Sequence, residues 1–430
     1  MTANAVDASA PWLLPPPYDA SAASLSAHSA AIGEVMAGRA RLWLGPFPAP
    51  AALPAGLEDT ALVVPTSGST GSAKAVALSL AALRASQDAT ARLFAADGTA
   101  ADTAGHGFWL PLLPPTHIAG VQVLARAHRT GQVLGLPGPA LPEPLPDLRG
   151  HFDAAAFVEL AGPVLAQAER AGLPALTSLV PTQLTRIVTG ATGDDARARG
   201  LLKRFAAVLV GGAATSPDVL ARARGQRIAV RTTYGSSETA GGCVYDRRPL
   251  PGVTLSVRDP DEAGAGRLEI ASPSLALGYL TADGAPGFSA LAPPDADERR
   301  FVTSDLAELD ADGALTVLGR ADDVIITGGR KVLPQDVERA IDRSLMLRGL
   351  VRSAVVVGVP DPEWGQRVEA LVTLDEGADA AEAAALVRSA LRTTEVPAHM
   401  IPKQVHVVAE LPLLGIGKVD RAAARRLAGG

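Results

Sequence analysis

The nine residues Thr66, Ser67, Gly68, Ser69, Thr70, Gly71, Ser72, Ala73 and Lys74 decide how this chain is read. They follow an apolar run at 61–65 that reads as a buried strand. Two glycines without Cβ let backbone N–H groups come close to an anion. The hydroxyls of Ser67, Ser69 and Thr70 can donate to phosphate oxygens, and Lys74 adds positive charge. A phosphate cradle is one reading; a flexible Ser/Gly surface loop is the other. The spacing G-x-x-x-x-G-K-[ST] is absent and no G-x-G-x-x-G opens a helix, which excludes a Walker A loop and a dinucleotide fingerprint.

Outward from this loop the texture is α/β. A helix starts at about Ser79, whose hydroxyl can cap it. Further buried strands are expected at 108–112, 132–136, 175–180, 206–210 and 228–232, with a helix at 217–224 among the intervening segments. Strand and helix in alternation imply parallel sheets with helices on both faces. After Pro251 the pattern turns to alternating strands at 254–257 and 267–270 and a hairpin over 301–318, turned at Asp310, Ala311, Asp312 and Gly313. Residues 321–430 read β-β-α-β-β-α-β, with helices at 334–344 and 380–392. The expected organisation is a leader at 1–20, disordered and broken by prolines, a large domain at 21–320 that includes the β-rich part, and a small α+β domain at 321–430.

Composition narrows the classes. With 430 residues the chain is long enough for more than one domain, and 47% hydrophobic against 20% charged residues excludes a disordered chain. The net charge of −6 and the lack of a basic stripe give nucleic-acid binding no electrostatic source. No apolar run approaches the ~18 residues of a membrane span, and the N-terminus lacks the basic start of a secretory signal. The single cysteine, Cys243, rules out an intrachain disulfide and fits a reducing cytoplasm. Only five of the 39 basic residues are lysine: Lys74, Lys203, Lys331, Lys403 and Lys418. A lysine kept against that bias suggests a task for a compact ammonium.

Thr66 to Lys74 resembles the signature loop of the adenylate-forming superfamily, in its acyl-CoA ligase branch, although that family usually has Pro and Gly where Ala73 and Ala75 stand. Other segments resemble the family's motifs in the same order: Gly211, Gly212, Ala213, Ala214; Tyr234, Gly235, Ser236, Ser237, Glu238, Thr239; Thr303, Ser304, Asp305; Gly319, Arg320, Ala321, Asp322; and Gly417, Lys418, Val419, Asp420, Arg421. The resemblance implies a large N-terminal domain of layered αβ sheets and a small mobile C-terminal domain. It implies that the 66–74 loop holds ATP phosphates and that Gly211, Gly212, Ala213 and Tyr234, with Gly235, flank adenine. By the same resemblance Ser237 meets the α-phosphate, Glu238 and Thr70 hold Mg²⁺, and Asp305 and Arg320 bind ribose. Lys418 is the implied catalytic cation, against the plain alternative of a solvated lysine. Asp322 takes the hinge position. Gly328, Gly329 and Lys331 are placed at the CoA tunnel, although a tight β-turn would equally explain the two glycines.

Within the branch, residues 112–123, 178–184 and 234–249 resemble the o-succinylbenzoate:CoA ligases of menaquinone biosynthesis. The implied acyl pocket comprises His117, Thr182, Gly241, Gly242 and Cys243, with His117 at the gate and also a catalytic candidate. Arg247, Arg248, Thr182 and Gln183 are candidates for a carboxylate that does not react. Cys243 has no basic partner nearby in sequence and is not expected to be a nucleophile. The implied partners are a small carboxylic acid, ATP and CoA, with a homodimer open. A ligase for another aryl or fatty acid, a module loading a carrier protein, and a non-catalytic adenylate binder remain the alternatives.

Overall fold

The computed structural model of the protein describes residues 6, 10–50, 52–66, 74–282, 299–344, 347, 349–375, 377–394, 396–413 and 419–429. Along the chain run β1 (Trp12–Leu13), α1 (Ala22–Met36), β2 (Arg41–Trp43), β3 (Thr60–Pro65), β4 (Lys74–Ser79) and α2 (Leu80–Ala96). Then follow β5 (Phe108–Leu110), α3 (Ile118–Leu134), α4 (Ala154–Arg170), β6 (Ala175–Leu179), α5 (Pro181–Thr189), α6 (Gly193–Leu202), β7 (Ala207–Val210), α7 (Pro217–Gly225) and β8 (Val230–Ser236). The strands β9 (Gly241–Tyr245), β10 (Arg248–Pro249), β11 (Thr254–Arg258), β12 (Gly266–Ala271), β13 (Gly278–Thr281), β14 (Arg300–Leu309) and β15 (Leu315–Arg320) come next. The chain closes with β16 (Ile325–Thr327), β17 (Arg330–Val332), α8 (Pro334–Arg343), β18 (Val351–Asp361), β19 (Gly365–Leu374), α9 (Ala380–Arg392), β20 (Gln404–Val407) and α10 (Arg421–Gly429). Two compact units result, Met1–Leu255 with Ile270–Phe301, and Ser256–Glu269 with Val302–Gly430.

In the first unit β5, β6, β7 and β8 are parallel, and β9 and β10 extend the same sheet antiparallel. Side chains alternate across it with the period of two that a strand imposes. Trp109, Leu176 and Leu209 pack with Leu83 and Phe94 of α2 and Val121 and Leu124 of α3. Phe108, Leu110, Val208 and Val210 face the other way, onto Phe157 of α4, Leu184 of α5, Leu202 of α6 and Val219 of α7. Both faces are covered, as the strand and helix alternation predicts. A second sheet runs in the order β1-β2-β3-β4-β13. Ser79 caps α2 by accepting from the Ala82 N–H at 3.1 Å, which fits the expected start.

Two expectations are corrected here. Residues 132–134 are the last turn of α3, closed by Gly135 at φ +67°; Val133 faces out, and Leu134 and Leu136 pack partly buried on the α4 side of the sheet. Within the leader, β1 pairs in parallel with β2, Trp12 stands edge-on to Trp43 at 5.3 Å, and the Arg41 guanidinium lies 5.7 Å from the Trp12 ring centre. Aromatic burial orders this stretch despite its prolines.

The second unit carries the sheet β11-β12-β14-β15, whose β14–β15 hairpin is the one expected, and the sheet β17-β16-β19-β18 with β20 beside β19. Alternation again assigns the faces: Val356, Val368 and Val372 meet Val337 of α8 and Leu391 of α9. Val355, Val357 and Val359 meet Ala424 and Ala428 of α10. The sequence reading lacked α10, a short helix of nine residues.

Candidate active site

Ligands of open α/β sheets sit beyond the carboxyl ends of the parallel strands. Here that edge collects four of the segments marked in the sequence. From β5 the chain reaches His117, the N-cap of α3. β6 leads to Thr182 on the first turn of α5, β7 to Gly211, Gly212 and Ala213, and β8 to Gly235, Ser237 and Glu238.

The turn after β8 is held from several sides. The Ser236 N–H donates to Thr239 Oγ1 at 2.9 Å, and Thr239 Oγ1 donates to the Gly241 carbonyl at 2.7 Å. Ala240 is left-handed at φ +50°, and its carbonyl accepts from Ser86 Oγ at 3.0 Å and Gln122 Nε2 at 2.6 Å. Backbone approaches so closely that a Cβ on Gly235 would stand 2.1 Å from the Gly241 oxygen. A Cβ on Gly211 would meet Thr233 Oγ1 at the same distance. Tyr234 lies half-buried opposite Val244.

Glu238 is oriented by a residue that the sequence reading missed. The Tyr279 hydroxyl, on β13, donates to Glu238 Oε1 at 2.8 Å, and the Ala276 N–H donates to the Glu238 carbonyl at 2.8 Å. Burial, reinforced by the Glu238 charge, raises the Tyr279 phenol far above its usual range, so it stays a donor. In the same strand Thr281 is the register partner of Lys74. The Thr66 N–H and hydroxyl both donate to the Lys74 carbonyl, at 3.1 and 3.4 Å. Strand pairing therefore brings Glu238, Thr66 and Lys74 into one neighbourhood. Ser67, Gly68, Ser69, Thr70 and Gly71 lie outside the described residues.

A magnesium ion bound with nucleotide phosphates needs one or two carboxylates and keeps several waters. Glu238 meets that requirement: Tyr279 occupies one oxygen, and the other has no hydrogen-bond partner among the described residues. Cys243 is buried, and burial pushes its thiol up to about 12, so it carries no thiolate near neutrality. A Cβ on Gly242 would press to 2.8 Å against Tyr245 Cε1; the glycine lets that ring pack directly against the strand. His117 is half-buried. Thr182, Arg247 and Arg248 are exposed, and Gln183 Oε1 accepts from the Val180 N–H at 2.9 Å.

In the second unit Asp305 and Arg320 stand directly opposite each other on β14 and β15. Thr303 Oγ1 accepts from the Asp305 N–H at 3.0 Å, and Arg320 Nη2 pairs with Asp322 Oδ2 at 3.1 Å on the surface. Gly328 and Gly329, at φ +54° and +75°, make the two-residue turn between β16 and β17. Lys331 is exposed. Lys418 lies outside the described residues. Tyr279 left no distinctive trace in the sequence: it sits between Gly278 and Leu280 in a short strand, and no local pattern tied it to Glu238.

The AMP-binding enzyme family matches residues 15–280, and the family's C-terminal domain matches residues 340–418. The chain belongs to this family, as the motifs implied. It is 40% identical over 378 residues, 86% of each chain, to a Mycobacterium tuberculosis protein described as a probable 2-succinylbenzoate–CoA ligase. A Listeria monocytogenes 2-succinylbenzoate–CoA ligase is 28% identical over 73% of this chain and 60% of its own. Among solved structures, ATP-bound MatB from Rhodopseudomonas palustris is similar with a TM-score of 0.67 and 25% identity, over 89% of this chain and 70% of that one. The described residues contain no helix long and apolar enough to cross a membrane.

Proposed function

We propose that this chain is an ATP-dependent, AMP-forming 2-succinylbenzoate–CoA ligase of menaquinone biosynthesis. The 40% identity to the M. tuberculosis protein over 86% of both chains carries the reading. In the first step the acid's carboxylate oxygen attacks the α-phosphorus of ATP and pyrophosphate leaves, giving an acyl-adenylate. In the second the CoA sulfur attacks the acyl carbon, AMP leaves with the electron pair of the broken bond, and a thioester remains.

The first step is catalysed chiefly by positioning and charge neutralisation. Residues 66–74 take the terminal phosphates, Ser237 the α-phosphate, Tyr234 and Gly211 to Ala213 the adenine, and Asp305 with Arg320 the ribose. Glu238 would hold Mg²⁺, which would supply positive charge at the phosphate oxygens. His117, Gly241, Gly242 and Cys243 line the acyl slot. Lys418 stabilises the charge that builds as the carboxylate approaches phosphorus. A turn about Asp322, at the boundary 320–323 of the expected domains, exchanges Lys418 for the hairpin of Gly328, Gly329 and Lys331 between steps. The reading also includes a cytoplasmic location and a homodimer, checked by fractionation and by light scattering.

The deciding experiment offers ATP, Mg²⁺ and CoA with 2-succinylbenzoate, benzoate and medium-chain fatty acids, and measures AMP and thioester. Preferential thioester formation from 2-succinylbenzoate is expected; preference for another acid, or none, overturns the assignment.

A further inference from the structure

The turn after β8 reverses the chain through two left-handed residues in succession, Ala240 at φ +50° and Gly241 at φ +97°. Glycine adopts that conformation freely, whereas the Cβ of an alanine in it crowds its own backbone carbonyl. Other groups must therefore hold Ala240 in place. Its carbonyl accepts from Ser86 Oγ of α2 at 3.0 Å and from Gln122 Nε2 of α3 at 2.6 Å. The chain of bonds runs one residue further: Gln87 Nε2, also on α2, donates to Gln122 Oε1 at 3.2 Å. A carbonyl only accepts, so the Gln122 group facing Ala240 is its NH₂, and its oxygen is left to take the Gln87 donor. That fixes one orientation for the Gln122 amide. Ser86, Gln87, Gln122 and Ala240 are all buried, so bulk water does not compete for these bonds.

Both arms of this turn carry site residues. Ser237 and Glu238 precede Ala240, and Gly241 with Gly242 follows it. Gln122 also stands against the second arm: a Cβ on Gly241 would lie 3.2 Å from Gln122 Cγ and 4.0 Å from Ile118 Cγ1, the first residue of the helix that His117 caps. The first two turns of α3 thus carry the gate residue, a wall against Gly241 and the donor that fixes Ala240. We propose that Gln122, braced by Gln87 and assisted by Ser86, is a positioning residue for adenylate formation. It holds Ala240 left-handed, and so places the nucleotide residues Ser237 and Glu238 and the acyl wall of Gly241 and Gly242 as one piece. This rests on the roles proposed for those four residues. Gln122 acts through the backbone of the turn and not on a reacting atom. Its loss would leave the Ala240 carbonyl with Ser86 alone and take from the buried Gln87 amide its acceptor.

The test titrates ATP with Mg²⁺ into the full chain by calorimetry, with no acid present, and separately measures the KM for the acid that the wild type prefers. Gln122→Met keeps a side chain of similar length and removes the donor. It should weaken ATP binding and raise the acid KM, each roughly 3- to 10-fold, the scale of one buried hydrogen bond. Ser86→Ala should shift both by a smaller factor, and it decides the matter if the first variant fails to fold. In an Ala240→Gly background the left-handed turn needs no holding, so adding either change should cost less than about 2-fold, read as a double-mutant cycle. That rescue separates positioning from packing, because a core defect would lower the melting temperature equally with Ala or Gly at position 240. Wild-type affinity and KM in both variants, a shift in only one of the two quantities, or an undiminished loss in the glycine background overturns the inference. Wild-type preference for an acid other than 2-succinylbenzoate overturns the functional reading alone, since calorimetry and that acid still read the turn. A wild type that turns over no acid overturns both.

Discussion

The two units treat buried charge differently. In the C-terminal sheet Glu369 is fully buried, yet Arg367 reaches one oxygen and His406 Nε2 stands 2.6 Å from the other. Arg421 likewise lies between Asp323 at 3.3 Å and Glu338 at 2.9 Å. These charges are completed within the unit and staple α10 and β20 to the sheet. Around α3 of the first unit, Arg126 is nearly as buried, but it meets hydroxyls and a ring in place of a carboxylate. A charge completed by carboxylates of its own unit ties elements together as ion pairs; one held by hydroxyls and a ring is oriented by packing.

The largest effect on this contrast is expected from Lys418→Ala. The proposed role assigns that cation to the reaction, so adenylate formation should fall by at least about 100-fold, the scale of a lost transition-state donor. Thioester formation from preformed adenylate should stay close to wild type. Unchanged pyrophosphate release by the variant would remove Lys418 from the mechanism. Next comes Glu369→Ala, which strands Arg367 and His406. Breaking a buried pair costs about 3–5 kcal/mol, read as a lower denaturation midpoint for the second unit, while the preference among acids is untouched. If acid preference moves instead, the division between structural and ligand-directed charge fails.

A smaller loss is expected from Gly235→Ala. The added Cβ has a backbone carbonyl 2.1 Å away, and forcing the turn apart costs about 1–3 kcal/mol. That strain falls on the segment of Ser237 and Glu238, so the KM for ATP should rise before the melting temperature drops much; a normal KM would show that the turn does not set nucleotide binding. Asp322→Pro should slow thioester formation several-fold more than adenylate formation, and an equal loss in both steps would count against the proposed turn at 320–323. The smallest effect concerns Cys243. With the thiol pushed up to about 12 and buried, iodoacetamide at pH 7 should leave the enzyme unmodified and fully active by mass spectrometry and assay.

Much of the first unit was legible because buried parallel strands are short apolar runs closed by Gly, Ser or Pro, and β6, β7 and the β14–β15 hairpin were placed within a residue or two. The errors have physical causes. Residues 132–136 form an apolar run too short to distinguish strand from helix, and helical hydrogen bonding from the preceding turns decided it. The leader was judged on its prolines, whereas Trp12 gains its order from Trp43 and Arg41, thirty residues away. The motif residues at the sheet edge were visible one by one, since backbone clearance restricts Gly211 and Gly235 to glycine and the family's motif spacing marks their neighbours. Tyr279 was not, because its partner Glu238 comes from another element.

The sequence by itself thus determined the alternation of strands and helices, the small residues at the tight turns and the family to which the chain belongs. Those are local properties, carried by periodicity and by fixed motif spacing. Only the tertiary structure decided that Tyr279 orients Glu238, that Gln183 is tied to its own helix end, and that Arg126 is buried with no carboxylate partner among the described residues. A hydrogen-bond partner and a dielectric environment are set by residues distant in the chain, and no local pattern encodes them.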